Sequence, residues 1–246
     1  MPEALRMAVY PSDKVDWRGG VTADQLIYLL YVQNLVLQDQ FRTLFIDTVR
    51  AIVGALETRD PYTHGHSIRV SHYAVMIGEK LNLPTERLHG LELAALLHDI
   101  GKIGTPDQIL HKIQSLNTAE FNVMKLHPLT GAELLSQVDA LKPLAPFVKH
   151  HHERFDGKGY PDGLMGDGIP LESRIIIVAD TYDAMTTTRS YRKGLEKKVA
   201  LKELQRCSGS QFDPKIVEVF TTALENFETH TESLMDKFAQ EKKKAA

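Results

Sequence analysis

Arg174 to Asp180 reads RIIIVAD, and this stretch decides the fold class. Its β-branched run has the composition of a strand. A lone strand leaves its backbone N–H and C=O groups unpaired, and no second strand-like run exists to receive it. The stretch is therefore assigned to a helix, and with it the whole chain becomes all-α.

Working outward, helical periods dominate on both sides. HSIRVSHYAVMIGEKL, TERLHGLELAALLHDI opened by Pro84-Thr85, and TAEFNVMKL opened by Asn117 with Glu120 all repeat apolar residues at helical spacing. A further helix is predicted from about Pro143 to Glu153, followed by LEKKVALKELQRC and PKIVEVFTTALENFE. Toward the N-terminus, Thr22 with Gln25 opens a capping box. Leu26, Leu29, Leu30, Leu37, Phe41, Leu44, Phe45, Ala51, Ile52, Ala55 and Leu56 then recur as one long helix or two consecutive ones. That segment reads either as a core-packing helix or as a dimerising, signal-transmitting one. Residues 1 to about 20 form an aperiodic lead-in and EKKKAA a solvated tail. The expected organisation is a lead-in and helical segment over 1–50, a catalytic domain over 51–230 and a helix end with charged tail over 231–246.

The 246 residues suffice for a real core, and a net charge of -3 provides no global attraction to nucleic acid or anionic membrane. Cys207 is the only cysteine, which excludes an intramolecular disulfide framework. No apolar run approaches the roughly 18 residues a membrane span needs, and the first residues lack a signal-peptide core. These features lead to the expectation of a soluble, cytoplasmic protein that binds neither a nucleic acid polymer nor a membrane interior.

Histidine is the commonest metal ligand, and the eleven here gather beside acids at predicted helix ends. His98 and Asp99 close a strongly apolar helix just before Gly101, where an unpaired charge is costly to bury. One such pair alone reads as a cap or salt bridge. With His66, His127, His151, His152 and Asp180 also at or near helix ends, convergence on one cleft becomes the better reading. Mixed imidazole and carboxylate donors without thiolates suit iron, manganese, cobalt or zinc. Asp99 could bridge two cations about 3.5–4 Å apart, which would activate a hydroxide and neutralise a phosphoryl group. Lys102 and the Arg189, Arg192, Lys193 cluster could grip the remaining phosphate oxygens.

HDIGK at His98–Lys102 and HHERFDGKGYP at His151–Pro161 resemble the HD-GYP family, a branch of the HD phosphohydrolases. The resemblance runs from about Thr58 to about Phe220 through ETRDPYTHGHS, MKLHP, VADTYDAMT, RSYRKG and QFDP. It implies a helical metallo-phosphodiesterase that opens cyclic di-GMP to pGpG or GMP with a metal-bridging hydroxide. By matched position it implies that His66, His98, Asp99, His127, His151, His152 and Asp180 hold two divalent ions, iron or manganese, with Asp99 as bridge. It makes Lys102 a catalytic, phosphate-contacting residue and Arg189 and Arg192 substrate grips, and leaves His150 with no family role.

In the loop, Gly157 and Gly159 permit a sharp turn, Pro161 stiffens it, and Tyr160 either buttresses the histidines or contacts substrate. Glu153 and Asp183 read as groups that orient ligating imidazoles or basic side chains, or as ordinary salt bridges. The resemblance also allows the loop to meet a diguanylate cyclase-type protein. Some family members carry a Glu four residues before the GH histidine, where it helps hold a third metal. Tyr62 stands there, so two metals are expected, and a stop at pGpG is favoured over continuation to GMP. His64 reads as a surface histidine. The competing readings are a signalling module with poor turnover and a hydrolase of another cyclic dinucleotide such as cyclic GMP-AMP.

Overall fold

A computed structural model describes residues 23–59, 65–112, 114–188 and 193–225. The helices are α1 (Ala23–Glu57), α2 (His66–Lys80), α3 (Thr85–Leu97), α4 (Asp107–Leu110), α5 (Thr118–Met124), α6 (His127–Ser136), α7 (Ala145–Lys149), α8 (Leu171–Thr186) and α9 (Lys197–Arg206). Residues 214–225 form α10. Short 3-10 turns run over Ile100–Gly104, Lys142–Leu144 and Gly166–Gly168. No strand occurs among the described residues, so the all-α expectation holds. Contacts divide the chain into two compact units at Thr48/Val49.

Within the second unit, α2 packs against α3 and α8. The reason lies in the spacing: Val70, Ala74 and Ile77 form one face of α2, and all three are fully buried. RIIIVAD lies in α8, where Ile175 to Ala179 are buried without interruption. A helix covered on every side has no polar face to reveal its 3.6-residue period, which is why the run has the look of a buried strand. Tyr73, Tyr182 and Phe220 close this core as edge-to-face rings 5.0–5.8 Å apart.

The Asn117 cap forms as expected: its side chain accepts from the Glu120 N–H at 2.9 Å, and Glu120 accepts from the Asn117 N–H at 2.8 Å. Two boundaries differ from expectation. The helix predicted over Pro143–Glu153 is regular only over Ala145–Lys149, because the backbone leaves helical geometry at His150 and turns through His151 and His152. α1 is one continuous helix, and its expected Thr22 cap lies outside the described residues. No helix among those residues is long and apolar enough to cross a membrane.

Candidate metal centre

Three of the clustered histidines come from one local device. His98 and His151 lie just past the C-termini of α3 and α7, and His127 opens α6 three residues after α5 ends, so each stands near carbonyls that lack intrahelical partners. Each donates its Nδ1–H to the carbonyl three residues earlier: His98 to Ala95 at 2.7 Å, His127 to Met124 at 2.7 Å and His151 to Val148 at 2.6 Å. That bond fixes the tautomer and directs a lone pair on Nε2 inward. His66 is held differently, between two carboxylates, with Nδ1 2.7 Å from Asp183 Oδ2 and Nε2 3.2 Å from Asp180 Oδ1.

The inward atoms form two triads, His127, His151 and His152 in one and His66, His98 and Asp180 in the other; the donor atoms within each triad lie within 4.8 Å of one another. Asp99 faces both. Its Oδ1 is 3.3 Å from His127 Nε2, and its Oδ2 is 3.4 Å from His98 Nε2 and 2.7 Å from Lys102 Nζ. His98 is 1% exposed and its Nε2 has no hydrogen-bond partner. A buried acceptor without a donor is costly unless a cation meets it, so the donor set fits divalent metal.

Electrostatics separate the triads. Burial pushes His151 and His152 down, His152 to about 3, and neighbouring imidazoles add to the effect. Burial also opposes protonation of His66, but hydrogen bonds to Asp180 and Asp183 outweigh it and raise its pKa to about 10. Burial alone would raise the Asp99 carboxyl, yet Lys102 and then His98 hold it well below the carboxylate range. Tyr160 is pushed up by burial and by Asp99 and Asp180, so its phenol stays protonated.

The remaining predicted residues fall as follows. Tyr160 stacks on His152 with ring centroids 5.0 Å apart, and Phe121 and Lys125 lie against its ring. Gly157 takes a left-handed backbone at φ 76, whereas Gly159 is needed for space, since a Cβ there would come 2.3 Å from the Arg154 nitrogen. Glu153 Oε1 accepts from the Asp162 and Gly163 N–H groups at 2.7 and 3.0 Å, so it ties the loop closed instead of orienting an imidazole. His150 lies outside both triads, 3.0 Å from Asp162 Oδ2. Arg189, Arg192, Tyr62 and His64 lie outside the described residues.

Two residues carry no clear mark in the sequence. Arg69 grips Asp183 from behind, with Nε 2.6 Å from Oδ1; its position three residues after His66, on the same helix face, is the one available signal. Glu57, buried at the end of α1, accepts from the Gly65 and Ser67 N–H groups at 2.7 and 2.9 Å and so caps α2 on either side of His66. Nothing local in the sequence marks that long-range cap.

Asp183 orients His66 and adds negative charge behind it. An Asp183→Asn variant is therefore expected to bind Mn(II) about 10–100-fold more weakly, as removal of such an outer carboxylate does elsewhere. Calorimetric titration checks this, and unchanged affinity would remove Asp183 from the assembly of the site.

An HD domain family model matches residues 50–216. The response regulator RpfG of Xanthomonas campestris pv. campestris (strain 8004), named a cyclic di-GMP phosphodiesterase, is 44% identical over 70% of this chain and 46% of its own length. A protein of Vibrio cholerae serotype O1 named 3'3'-cGAMP-specific phosphodiesterase 3 is 36% identical over 78% of this chain and 41% of its own. A crystal structure of a V. cholerae cyclic GMP-AMP-specific phosphodiesterase superposes with a TM-score of 0.58 at 24% identity, covering 72% of this chain and 49% of that one. The chain thus spans less than half the length of these relatives, and the superposition bears on the fold alone.

Proposed function

Because the chain belongs to the HD-domain family, in its HD-GYP branch, we propose that it is a metal-dependent phosphodiesterase that hydrolyses cyclic di-GMP to pGpG, GMP or both. The observation that carries this reading is the placement of Asp99, with one carboxylate oxygen toward each of two ligand triads. Two divalent ions, iron or manganese, would sit in the triads and supply Lewis acidity and a lowered water pKa.

The chain's own groups do the rest. His98, His127 and His151 present fixed lone pairs because their other nitrogens are occupied. Lys102, beside Asp99, is the cation assigned to a phosphate oxygen, and Arg189 and Arg192 are assigned to the second phosphate and guanine. Tyr160, held protonated beside His152, is assigned to pack on the substrate and donate a hydrogen bond. With Tyr62 where some family members carry a third-metal Glu, two ions are proposed, and of the two products pGpG is the favoured one. The reading also includes a cytoplasmic location, a diguanylate cyclase-type partner at the loop, and self-association through α1.

A relative named as cGAMP-specific keeps a second cyclic dinucleotide in the test. Anaerobic purification with metal analysis, followed by chromatographic assay of cyclic di-GMP and 3'3'-cGAMP in the same sample, should find about two ions per chain and faster loss of cyclic di-GMP. Faster loss of cGAMP would reassign the substrate. A loaded centre that turns over neither would overturn the enzyme reading in favour of a signalling module.

A further inference from the structure

α1 carries large apolar side chains that are exposed among the described residues. Ile27, Leu30, Leu37, Phe41 and Leu44 are 56–71% exposed, while Ile46, on the opposite side of the helix, is buried at 8%. These five, with Asn34 and Thr48, lie at steps of three and four from 27 through 30, 34, 37, 41 and 44 to 48, while Leu26, Tyr28, Tyr31 and Leu35 are exposed beside them at 48–61%. That alternation is the 3.5-residue repeat of a coiled-coil seam. Asn34 stands within it.

We propose that α1 pairs with α1 of a second copy of this chain as a parallel, in-register two-stranded coiled coil. Ile27, Asn34, Phe41 and Thr48 occupy the a positions, and Leu30, Leu37 and Leu44 the d positions. Asn34 argues for an identical partner. Against an apolar side chain its amide would be desolvated without a partner, whereas two Asn34 side chains meet and bond only when identical helices run parallel in register. Leucine at every d position favours two strands.

The seam's edges allow self-pairing. The facing g and e positions are Gln33 with Gln38 and Gln40 with Phe45, so identical helices bring no like charges together. The Arg42–Asp39 ion pair at 3.0 Å lies on positions b and f, away from the seam. At roughly 100 Å² of uncovered area per side chain, five on each helix bury about 1,000 Å² across the pair, and the flanking residues raise this toward about 1,200 Å², the lower end of a standard interface. This inference specifies the self-association through α1 that the proposed reading includes, and it does not depend on the phosphodiesterase activity.

Sedimentation of the full chain at micromolar concentration should give twice the 27.7 kDa chain mass. Leu37→Glu should weaken the dimer at least about 100-fold, by placing two like charges at d. In a Cys207→Ser background, Leu37→Cys should form an interchain disulfide under mild oxidation. Asp39→Cys, on the opposite face, should not. A monomeric wild-type chain, as expected if residues 1–22 or an unrelated protein cover the stripe, would overturn the proposal. So would a dimer indifferent to Leu37→Glu, or cross-linking at position 39 equal to that at 37. The hydrolysis assay has no part in these readouts, so failure of either reading is visible separately.

Discussion

An Asp99→Asn variant is expected to lose most of its bound metal and about a thousand-fold or more of its turnover, a barrier change of about 4 kcal/mol. The reason is the double use of one carboxylate. Its oxygens stand 3.3 and 3.4 Å from imidazole nitrogens of different triads, so the substitution removes charge and a donor from both at once. An amide oxygen can still occupy one position, but its NH2 group presents hydrogens to the other. Lys102 also loses the carboxylate 2.7 Å away, so part of what offsets its charge beside the two triads is gone. Metal analysis after dialysis and the chromatographic assay read the two effects separately. Far-ultraviolet circular dichroism should be unchanged, since Asp99 lies in a turn after α3. Normal metal content in this variant would end the bridging assignment.

Gly101→Ala should be nearly as damaging, for a steric reason. The turn after Asp99 passes so close to α6 that a Cβ at position 101 would lie 1.9 Å from the His127 carbonyl oxygen and 2.5 Å from the Gly131 nitrogen. Those atoms are backbone and cannot swing away. Either the turn or α6 must shift, and the shift separates Asp99 from His127. Overpacking of this kind typically costs about 1–3 kcal/mol. At about 2–4 °C per kcal/mol for a domain of this size, melting should fall by several degrees. The diagnostic result is metal affinity reduced by more than the stability loss explains, measured well below the melting temperature. A variant with wild-type melting and metal content would show that the close approach is dispensable.

These two residues differ in how visible they are in the sequence. Asp99 sits beside a histidine at the end of an apolar helix, an expensive place for an unpaired carboxylate, so together with the other histidines at helix ends its type and position mark it as a ligand candidate. Gly101 reads only as a helix breaker. Its role depends on a carbonyl 26 residues away, and no local pattern encodes that distance. Asp183 and His66 are similar: each stands out by its type and neighbours, but their 2.7 Å contact joins residues 117 apart in the chain.

By itself the sequence determined the donor types, the helical class, the Asn117 cap and the end of α3 at His98, whereas the break before His151 appears only in the fold. The former depend on period, propensity and the unpaired carbonyls of a helix end, all of which are local. Tertiary structure alone decided how seven ligand candidates divide into two triads around Asp99, and that Arg69 and Glu57 brace the region of His66. Ligation and burial depend on atoms a few ångströms apart that lie far apart in the chain, and only packing sets those distances.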